Sequence, residues 1–192
     1  MSTRFRLGIS VLIISLACPA AAWAQGAVTV IGGGMAQDCY EAVEYGRVPV
    51  TRAIEVCEQA LDLEALRPRD KAATYTNRGI LFMRQGNNTR ALWDYQRSLD
   101  IMPSLQEAKV NLGAALYNLK RYPEALAALN EGVGTDVIEA KAIGYYNRGL
   151  THEKLGDIQS AYEDFRRAYQ TNPDFKQAAD QMARFTVVPA AG

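Results

Sequence analysis

The chain has 192 residues, of which 21 are basic and 21 are acidic, so its formal net charge is zero. A chain without a basic surplus has little charge with which to neutralise phosphates, and this excludes nucleic acid as the expected partner. With 48% hydrophobic residues, the length suits one compact domain or a short array of repeats.

The start of the chain has the pattern of a secretory signal peptide. Arg4 and Arg6 give it a positive charge, residues 7–17 are apolar, and the small residues that end at Ala24 fit a signal peptidase. The apolar run is too short to cross a bilayer as a helix. We therefore predict a cleaved signal peptide over residues 1–24, a periplasmic or secreted mature chain, and no membrane span after cleavage.

Two alternatives concern the same segment. The apolar run could stay as a membrane anchor, or Cys18 could carry a lipid at a cleavage site. A lipoprotein signal usually has an aliphatic residue three places before its cysteine, and here that place is Ser15, with Pro19 after the cysteine. Simple cleavage after Ala24 fits better.

Residues 25–35 are rich in glycine and small side chains, and we predict a flexible spacer there. The stretch 28–36 also resembles the opening of a dinucleotide-binding fold, because an apolar run precedes three glycines. The third glycine position of that motif is taken by Gln37, and no second strand follows. No phosphate-binding role and no cofactor are expected.

Two cysteines remain in the predicted mature chain. Residues 36–64 have the pattern of helix, turn and helix, with Gly46 and Pro49 in the turn. Cys39 and Cys57 stand equally far from this turn, so an antiparallel hairpin brings their sulfurs to the same height. We predict that they form a disulfide, which would stabilise the fold by roughly 3 kcal/mol. Two buried free thiols are the alternative, and no metal site is predicted because two cysteines and a single distant histidine do not supply four ligands.

The strongest signal is an internal repeat. Residues 75–79 and 145–149 nearly duplicate one another, and both contain Asn-Arg-Gly. Three glycines recur 34 and then 36 residues apart, each followed twelve residues later by an alanine and sixteen residues later by a large side chain. These sets are Gly79, Ala91 and Tyr95; Gly113, Ala125 and Leu129; and Gly149, Ala161 and Phe165.

This spacing resembles the tetratricopeptide-repeat (TPR) family, whose unit is a 34-residue helical hairpin. The resemblance implies an all-α fold, an α-solenoid of antiparallel helical hairpins with a C-terminal capping helix. The predicted repeat domain spans residues 36–185 and is followed by a mobile tail at 186–192. Within it we expect a degenerate hairpin at 36–64, repeats at 72–105, 106–141 and 142–175, and a capping helix at 174–185.

Glycine inside a helix costs about 1 kcal/mol relative to alanine, so three at one register indicate a close approach of two backbones. We expect each repeat glycine to meet the repeat alanine of the second helix. Gly86 and Gly156 are predicted to end first helices, and Asp70, Asp136 and Asp157 are predicted N-caps.

Candidate catalytic groups are few. The repeat register places His152, the single histidine, on the face that packs against the second helix. Asp94, Glu163 and Asp164 lie among basic residues, and we interpret them as a solvated face. No catalytic residue is predicted, and the chain is not expected to be an enzyme.

In TPR proteins the first helices line a concave groove that holds a peptide, and the resemblance implies such a groove here. Asn77, Asn111 and Asn147 recur at one register position, and an asparagine amide can pair with the N–H and C=O of a bound main chain. Alternatively, these amides bond only between hairpins. The predicted groove residues are Thr76, Asn77, Ile80, Met83, Arg84, Val110, Asn111, Tyr117, Asn118, Tyr146, Asn147, Leu150 and Lys154.

The function expected from this pattern is an adaptor or assembly factor that binds another envelope polypeptide through the groove. One alternative is an envelope enzyme that acts on cell-wall material. Another is a structural subunit that binds through its outer face. The role of adaptor is inferred from the resemblance of fold alone. The expected partner is a protein or peptide.

Overall fold

The computed structural model describes residues 26–31 and 33–185. The predicted signal peptide (1–24) and tail (186–192) lie outside the described residues. The described part of the chain forms nine α-helices and no strand, and none of these helices has the length and apolarity of a membrane span. The helices are α1 (Met35–Tyr45), α2 (Val50–Leu63), α3 (Pro68–Arg84), α4 (Asn88–Ile101), α5 (Gln106–Asn118), α6 (Tyr122–Gly132), α7 (Ile138–Lys154), α8 (Ile158–Thr171) and α9 (Lys176–Met182).

Consecutive helices pack as hairpins: α1 with α2, α3 with α4, α5 with α6, and α7 with α8. The first helices of neighbouring hairpins also contact one another, α1 with α3, α3 with α5 and α5 with α7, while α9 packs against α8. Because helices converge on the inner side of a curved stack, α1, α3, α5 and α7 form its concave layer. The predicted all-α solenoid of helical hairpins with a C-terminal capping helix is therefore confirmed.

The repeat glycines lie where the two helices of each hairpin cross. The atoms closest to a Cβ added at each glycine belong to the repeat's large side chain: Tyr95 for Gly79, Leu129 for Gly113, and Phe165 for Gly149. At Gly79 the separation would be 2.5 Å, far inside van der Waals contact. The predicted close approach is present, but the glycine makes room for the large side chain and not chiefly for the alanine. The small repeat alanine lets the backbones of the two helices approach closely. The large side chain of the second helix then packs over the glycine of the first.

Two buried ion pairs recur with the repeat. Arg78 donates to both carboxylate oxygens of Asp94 at 2.8 and 2.7 Å, and Arg148 does the same to Asp164 at 2.6 and 2.8 Å. Asp94 is 0% exposed and Asp164 2% exposed. The prediction of a solvated face was therefore wrong for these two aspartates. They point between the helices, where a guanidinium from the first helix of the same hairpin neutralises them.

The middle hairpin replaces both members of this pair. Leu112 stands at the register of the two arginines and Ala128 at that of the two aspartates. Both pack as partly buried apolar side chains against the C-terminal half of the core. The same crossing is thus filled by an ion pair in two hairpins and by apolar atoms in the third.

The turns follow local chemistry. Gly86 and Gly156, with φ of 77° and 84°, follow the ends of α3 and α7 as predicted. Asp157 caps α8 by accepting a hydrogen bond from Ser160 N at 3.0 Å, which confirms that N-cap. Asp136 and Asp70 are not N-caps, because α7 begins at Ile138 after Val137 and α3 begins at Pro68 after Arg67. Proline sets the first turn of α3, and this places Asp70 inside the helix.

The N-terminal hairpin carries the predicted disulfide. Cys39 on α1 and Cys57 on α2 are bonded, with their Cα atoms 4.9 Å apart, and both are fully buried. They lie in one apolar cluster with Val43, Ala53 and residues of α3 and α4. The covalent link therefore ties α1 to the rest of the array.

Candidate polypeptide-binding groove

The concave face holds a segment of the chain itself. Asn77 on α3 is 0% exposed, and its amide makes two hydrogen bonds to the main chain of Val28. Asn77 Oδ1 accepts from Val28 N at 2.8 Å, and Asn77 Nδ2 donates to Val28 O at 2.9 Å. One asparagine thus satisfies both polar groups of one residue in the groove.

A second main-chain contact lies at the start of α3. Asp70 Oδ1 accepts from Ile31 N at 3.1 Å, and Arg67 Nη2 donates to Ile31 O at 2.7 Å. Arg67 Nε also donates to Asp70 Oδ2 at 2.8 Å. Burial alone would raise the pKa of Asp70, but the hydrogen bond from Ile31 and the Arg67 guanidinium hold that pKa below its ordinary value.

The two contacts fix the direction of the segment. From Asn77 to Asp70 is seven residues of helix, a rise of about 10 Å, and from Val28 to Ile31 is three residues, about 10 Å when extended. Residues 26–31 therefore run antiparallel to α3 as an extended chain. The other end of the segment reaches α7, where a Cβ added at Gly26 would stand 3.7 Å from Ala140 Cβ.

The side chains of the segment alternate between the groove and the outside. Val28 and Val30 are 7% and 5% exposed, whereas Thr29 is exposed and Ile31 is 57% exposed. The two valines belong to a buried cluster whose other members are mostly alanines, together with Leu105: Ala36, Ala60, Ala72, Ala73 and Ala108. Small side chains on the inner helices leave the space that an extended chain fills.

The predicted flexible spacer over residues 25–35 is therefore wrong in the part that the structure describes. Residues 26–31 are docked, and α1 begins at Met35. The prediction failed because small and apolar residues are found both in mobile linkers and in extended segments that pack on an alanine-rich surface.

Asn77, Asn111 and Asn147 share one register position and form the asparagine row. The other two members of this row are also buried. Asn111 on α5 is 1% exposed and Asn147 on α7 is 0% exposed. Asn111 Oδ1 finds no hydrogen-bond partner in the described part of the chain. A buried acceptor without a partner costs about 1–3 kcal/mol, so this amide is suited to a ligand that brings an N–H.

Beyond the segment the groove opens into a cavity of about 430 Å³. Arg84, Glu139, Ile143 and Phe175 line it beside Gly26. Arg84 donates to Val43 O at 2.9 Å, and burial lowers the pKa of its guanidinium. The cavity lies between α1, α3, α7 and the turn before α9, so it continues the path of the segment.

Two of the predicted groove residues do not face the groove. Thr76 Oγ1 lies 2.8 Å from Ser98 Oγ and so points to α4 inside its own hairpin. Val110 packs against the positions of Gly132 and Gly144, on α6 and α7. Both are buried, at 0% and 1% exposure, and the prediction that they bind a peptide is corrected. Each stands one position before an asparagine of the row. Because successive side chains of a helix point in different directions, each is turned toward a neighbouring helix.

Other predicted groove residues are mainly buried between helices. Ile80 and Leu150 are fully buried in the apolar clusters, and Met83 is half-buried against them. The Tyr117 ring packs on Tyr122 at 5.5 Å between centroids, and burial raises its pKa to about 12. These side chains support the floor of the groove more than they line its surface.

The remaining predicted positions differ in accessibility. Tyr146 is 2% exposed and its ring contacts those of Phe165 and Phe175, at 5.7 and 5.1 Å. Asn118 Nδ2 donates to Asn88 Oδ1 at 3.1 Å and so bridges two hairpins. Lys154, at the end of α7, is exposed.

Comparison with known proteins agrees with the repeat. Models of the tetratricopeptide repeat match residues 76–136 and 142–175. The chain belongs to the tetratricopeptide-repeat family. The matched residues cover α4, α5, α6 and α8, the second half of α3, and α7 from residue 142 onward; the first hairpin, α1 with α2, lies before them.

Several known proteins resemble parts of the chain. It is 37% identical over 67 residues to peptidyl-prolyl cis-trans isomerase FKBP42 of Arabidopsis thaliana, covering 35% of this chain and 18% of that protein. The structure titled as the functional characterisation of pilF from Pseudomonas aeruginosa superposes with a TM-score of 0.66 at 21% identity, over 78% of this chain and 64% of that one. The first TPR of Spaghetti (RPAP3), bound to the HSP90 peptide SRMEEVD, gives 0.56 at 22% identity, over 60% and 93%.

The repeat pattern did not reveal Arg67, Asp70, Val28 and Val30 as groove residues of this TPR array. The alternation of Val28, Thr29 and Val30 was the available signal, since extended chains bury every second side chain. Nothing in the sequence indicated which surface this short extended segment would meet.

Proposed function

We propose that this chain is an exported, non-enzymatic interaction module that binds an extended segment of another envelope polypeptide along its concave groove. The observation that carries the proposal is the pairing of Asn77 with both main-chain groups of Val28. The groove already holds one extended segment by its backbone, and the same chemistry suits a segment from a partner.

Main-chain recognition determines how selective such a module is. An amide that pairs with N–H and C=O recognises the main chain and by itself excludes only proline, which lacks the N–H, while the apolar floor beneath it selects among side chains. Each neutral hydrogen bond contributes only about 0.5–1.5 kcal/mol net, so affinity must come from several contacts along the groove. A role as adaptor or assembly factor suits recognition of this kind.

Two further observations support the proposal. The related TPR of Spaghetti (RPAP3) has a peptide bound, and its likeness to this chain is one of fold. In the described part of the chain, the buried carboxylates Asp94 and Asp164 are each paired with an arginine of their own hairpin, which is the arrangement of a structural ion pair. Export is supported by the signal-like start and by the Cys39–Cys57 disulfide, since disulfides persist in oxidising compartments.

Photo-crosslinking from two faces of the chain tests where a partner binds. A photoreactive residue at Glu139, which lines the groove cavity, is expected to trap an envelope polypeptide in native extract. The same residue at Trp93, which is 49% exposed on α4, serves as the outer-face control and is expected to trap none. A partner captured from Trp93 and not from Glu139 would support the structural subunit that binds through its outer face.

A further inference from the structure

We propose that residues 26–31 are a displaceable occupant of the groove, and that the partner is an uncharged extended strand with branched apolar side chains at alternate positions. This inference rests on the proposed function and adds to it a class of partner and a means of control. The segment is then a competitor, carried by the chain, that a partner must replace.

The helix after the segment is anchored without it. Glu64, just after the end of α2, accepts hydrogen bonds with its two carboxylate oxygens. The donors are Met35 N, at 2.6 Å, and Ala36 N, at 3.1 Å. These bonds satisfy the first amides of α1, and the Cys39–Cys57 disulfide holds α1 to α2. Release of residues 26–31 therefore leaves α1 capped and in place.

Two glycines, Gly33 and Gly34, are suited to act as a hinge between the segment and α1. Gly33 and Gly34 lie just before α1, and a Cβ added at Gly33 would meet no heavy atom within 4 Å. Gly34 has φ of 98°, a conformation that residues with a Cβ rarely adopt, and its added Cβ would collide with Glu64 Oε1. Glycine at these positions lets the segment pivot away while the carboxylate of Glu64 stays against the backbone.

The docked segment shows which strands the groove accepts. Its six residues, Gly-Ala-Val-Thr-Val-Ile, carry no charge. Two valines spaced by one residue fill the alanine-lined floor, and the intervening Thr29 is exposed. A partner strand with valine or isoleucine at two alternate positions repeats these contacts, whereas a charge at either buried position would be desolvated without a counterion.

Displacement requires that a partner make contacts that the segment lacks. A tethered competitor acts at an effective concentration in the millimolar range for a short flexible link, so an equal strand in solution binds weakly. The cavity beside Gly26, lined by Arg84, Glu139 and Ile143, offers added contacts to a strand that continues past Gly26. A longer partner strand therefore has an advantage over the segment.

A peptide-binding experiment tests the inference on the whole chain. The probe is a labelled peptide, Gly-Ala-Val-Thr-Val-Ile, blocked at both ends and titrated against the wild-type chain, Val28→Asp and Thr29→Asp. We expect Val28→Asp to expel the segment of its own chain and to bind the peptide at least about tenfold more tightly than wild type. Thr29→Asp adds the same charge at an exposed neighbour and should bind like wild type.

Amide hydrogen exchange gives a second test that needs no variant. In the wild-type chain the Val28 and Ile31 amides should exchange at least about a hundredfold faster than the Ile80 amide in α3, because the segment opens without global unfolding. Equal protection at all three amides would mean that the segment is a permanent part of the fold and would overturn the inference.

The outcomes separate this inference from the function on which it rests. Equal peptide affinity for wild type and Val28→Asp would refute displacement and leave the groove as a binding site. If the peptide binds neither chain although exchange shows the segment of Val28→Asp to be released, the groove does not hold strands of this class, and the proposed function fails with it.

Discussion

Replacing Gly113 with leucine should lower the free energy of unfolding by about 3 kcal/mol or more, because the crossing of α5 and α6 has no room for a side chain. A Cβ at this position already overlaps Cγ of Leu129, which is fully buried. The variant must either separate the two helices or force Leu129 out of the core. Gly113→Ala should show a smaller loss in the same direction.

Urea unfolding followed by circular dichroism measures this difference. Gly33→Ala is the matched control, because an added Cβ there meets no heavy atom within 4 Å, and it should change the unfolding free energy by less than about 0.5 kcal/mol. If Gly113→Leu unfolds at the same urea concentration as wild type, the register assigned to the middle hairpin is wrong.

Arg78→Leu should lower the free energy of unfolding by about 3–5 kcal/mol, because it leaves the Asp94 carboxylate buried without its counterion. Asp94 is 0% exposed, and both of its oxygens are bonded to the guanidinium. The chain supplies the compensating change, since its middle hairpin carries leucine and alanine at the two equivalent positions. Arg78→Leu combined with Asp94→Ala should recover most of the loss.

The pH dependence of the single variant identifies the cause. Burial raises the pKa of Asp94, against the hydrogen bonds from Arg78 that lower it, and without Arg78 the rise must be larger. A carboxyl whose pKa is higher in the folded state than in the unfolded state binds its proton more tightly when folded, so stability falls as pH rises. The deficit of Arg78→Leu should be smallest near about pH 4 and largest near about pH 7. A deficit that is independent of pH, or a double variant no more stable than the single one, would contradict this account of the pair.

The architecture could be predicted from the sequence because it depends on local spacing. A glycine, an alanine twelve residues later and a large side chain sixteen residues later fix which faces of two helices meet, and the repetition of this set fixes the array. The disulfide followed from the same geometry, because the turn near Gly46 sets the height of Cys39 and Cys57. Each of these predictions needed only the pairing of neighbouring elements.

The contents of the groove depend on long-range contacts and were not predictable in the same way. Val28 and Asn77 are 49 residues apart, and no periodicity links a short extended segment to the helix on which it lies. The recurrence of arginine and aspartate sixteen residues apart was visible in two repeats, yet charge alone does not distinguish a buried pair from a solvated face. The asparagine row was predicted because the repeat aligns its members, but what Asn77 would bind was not.

The affinity of the captured partner for two triple variants tests the central claim most directly. One variant changes the groove row, Asn77, Asn111 and Asn147, to alanine; the other changes Leu63, Trp93 and Tyr169, which are exposed on second helices, to alanine. Because each amide of the row can pair with a bound main chain, its loss should weaken binding to the groove variant by at least about tenfold, and the outer-face variant should bind like wild type. Helicity and melting temperature are measured on the same samples, so that a folding defect is recognised. A folded groove variant that keeps full affinity, beside an outer-face variant that loses it, would contradict the account.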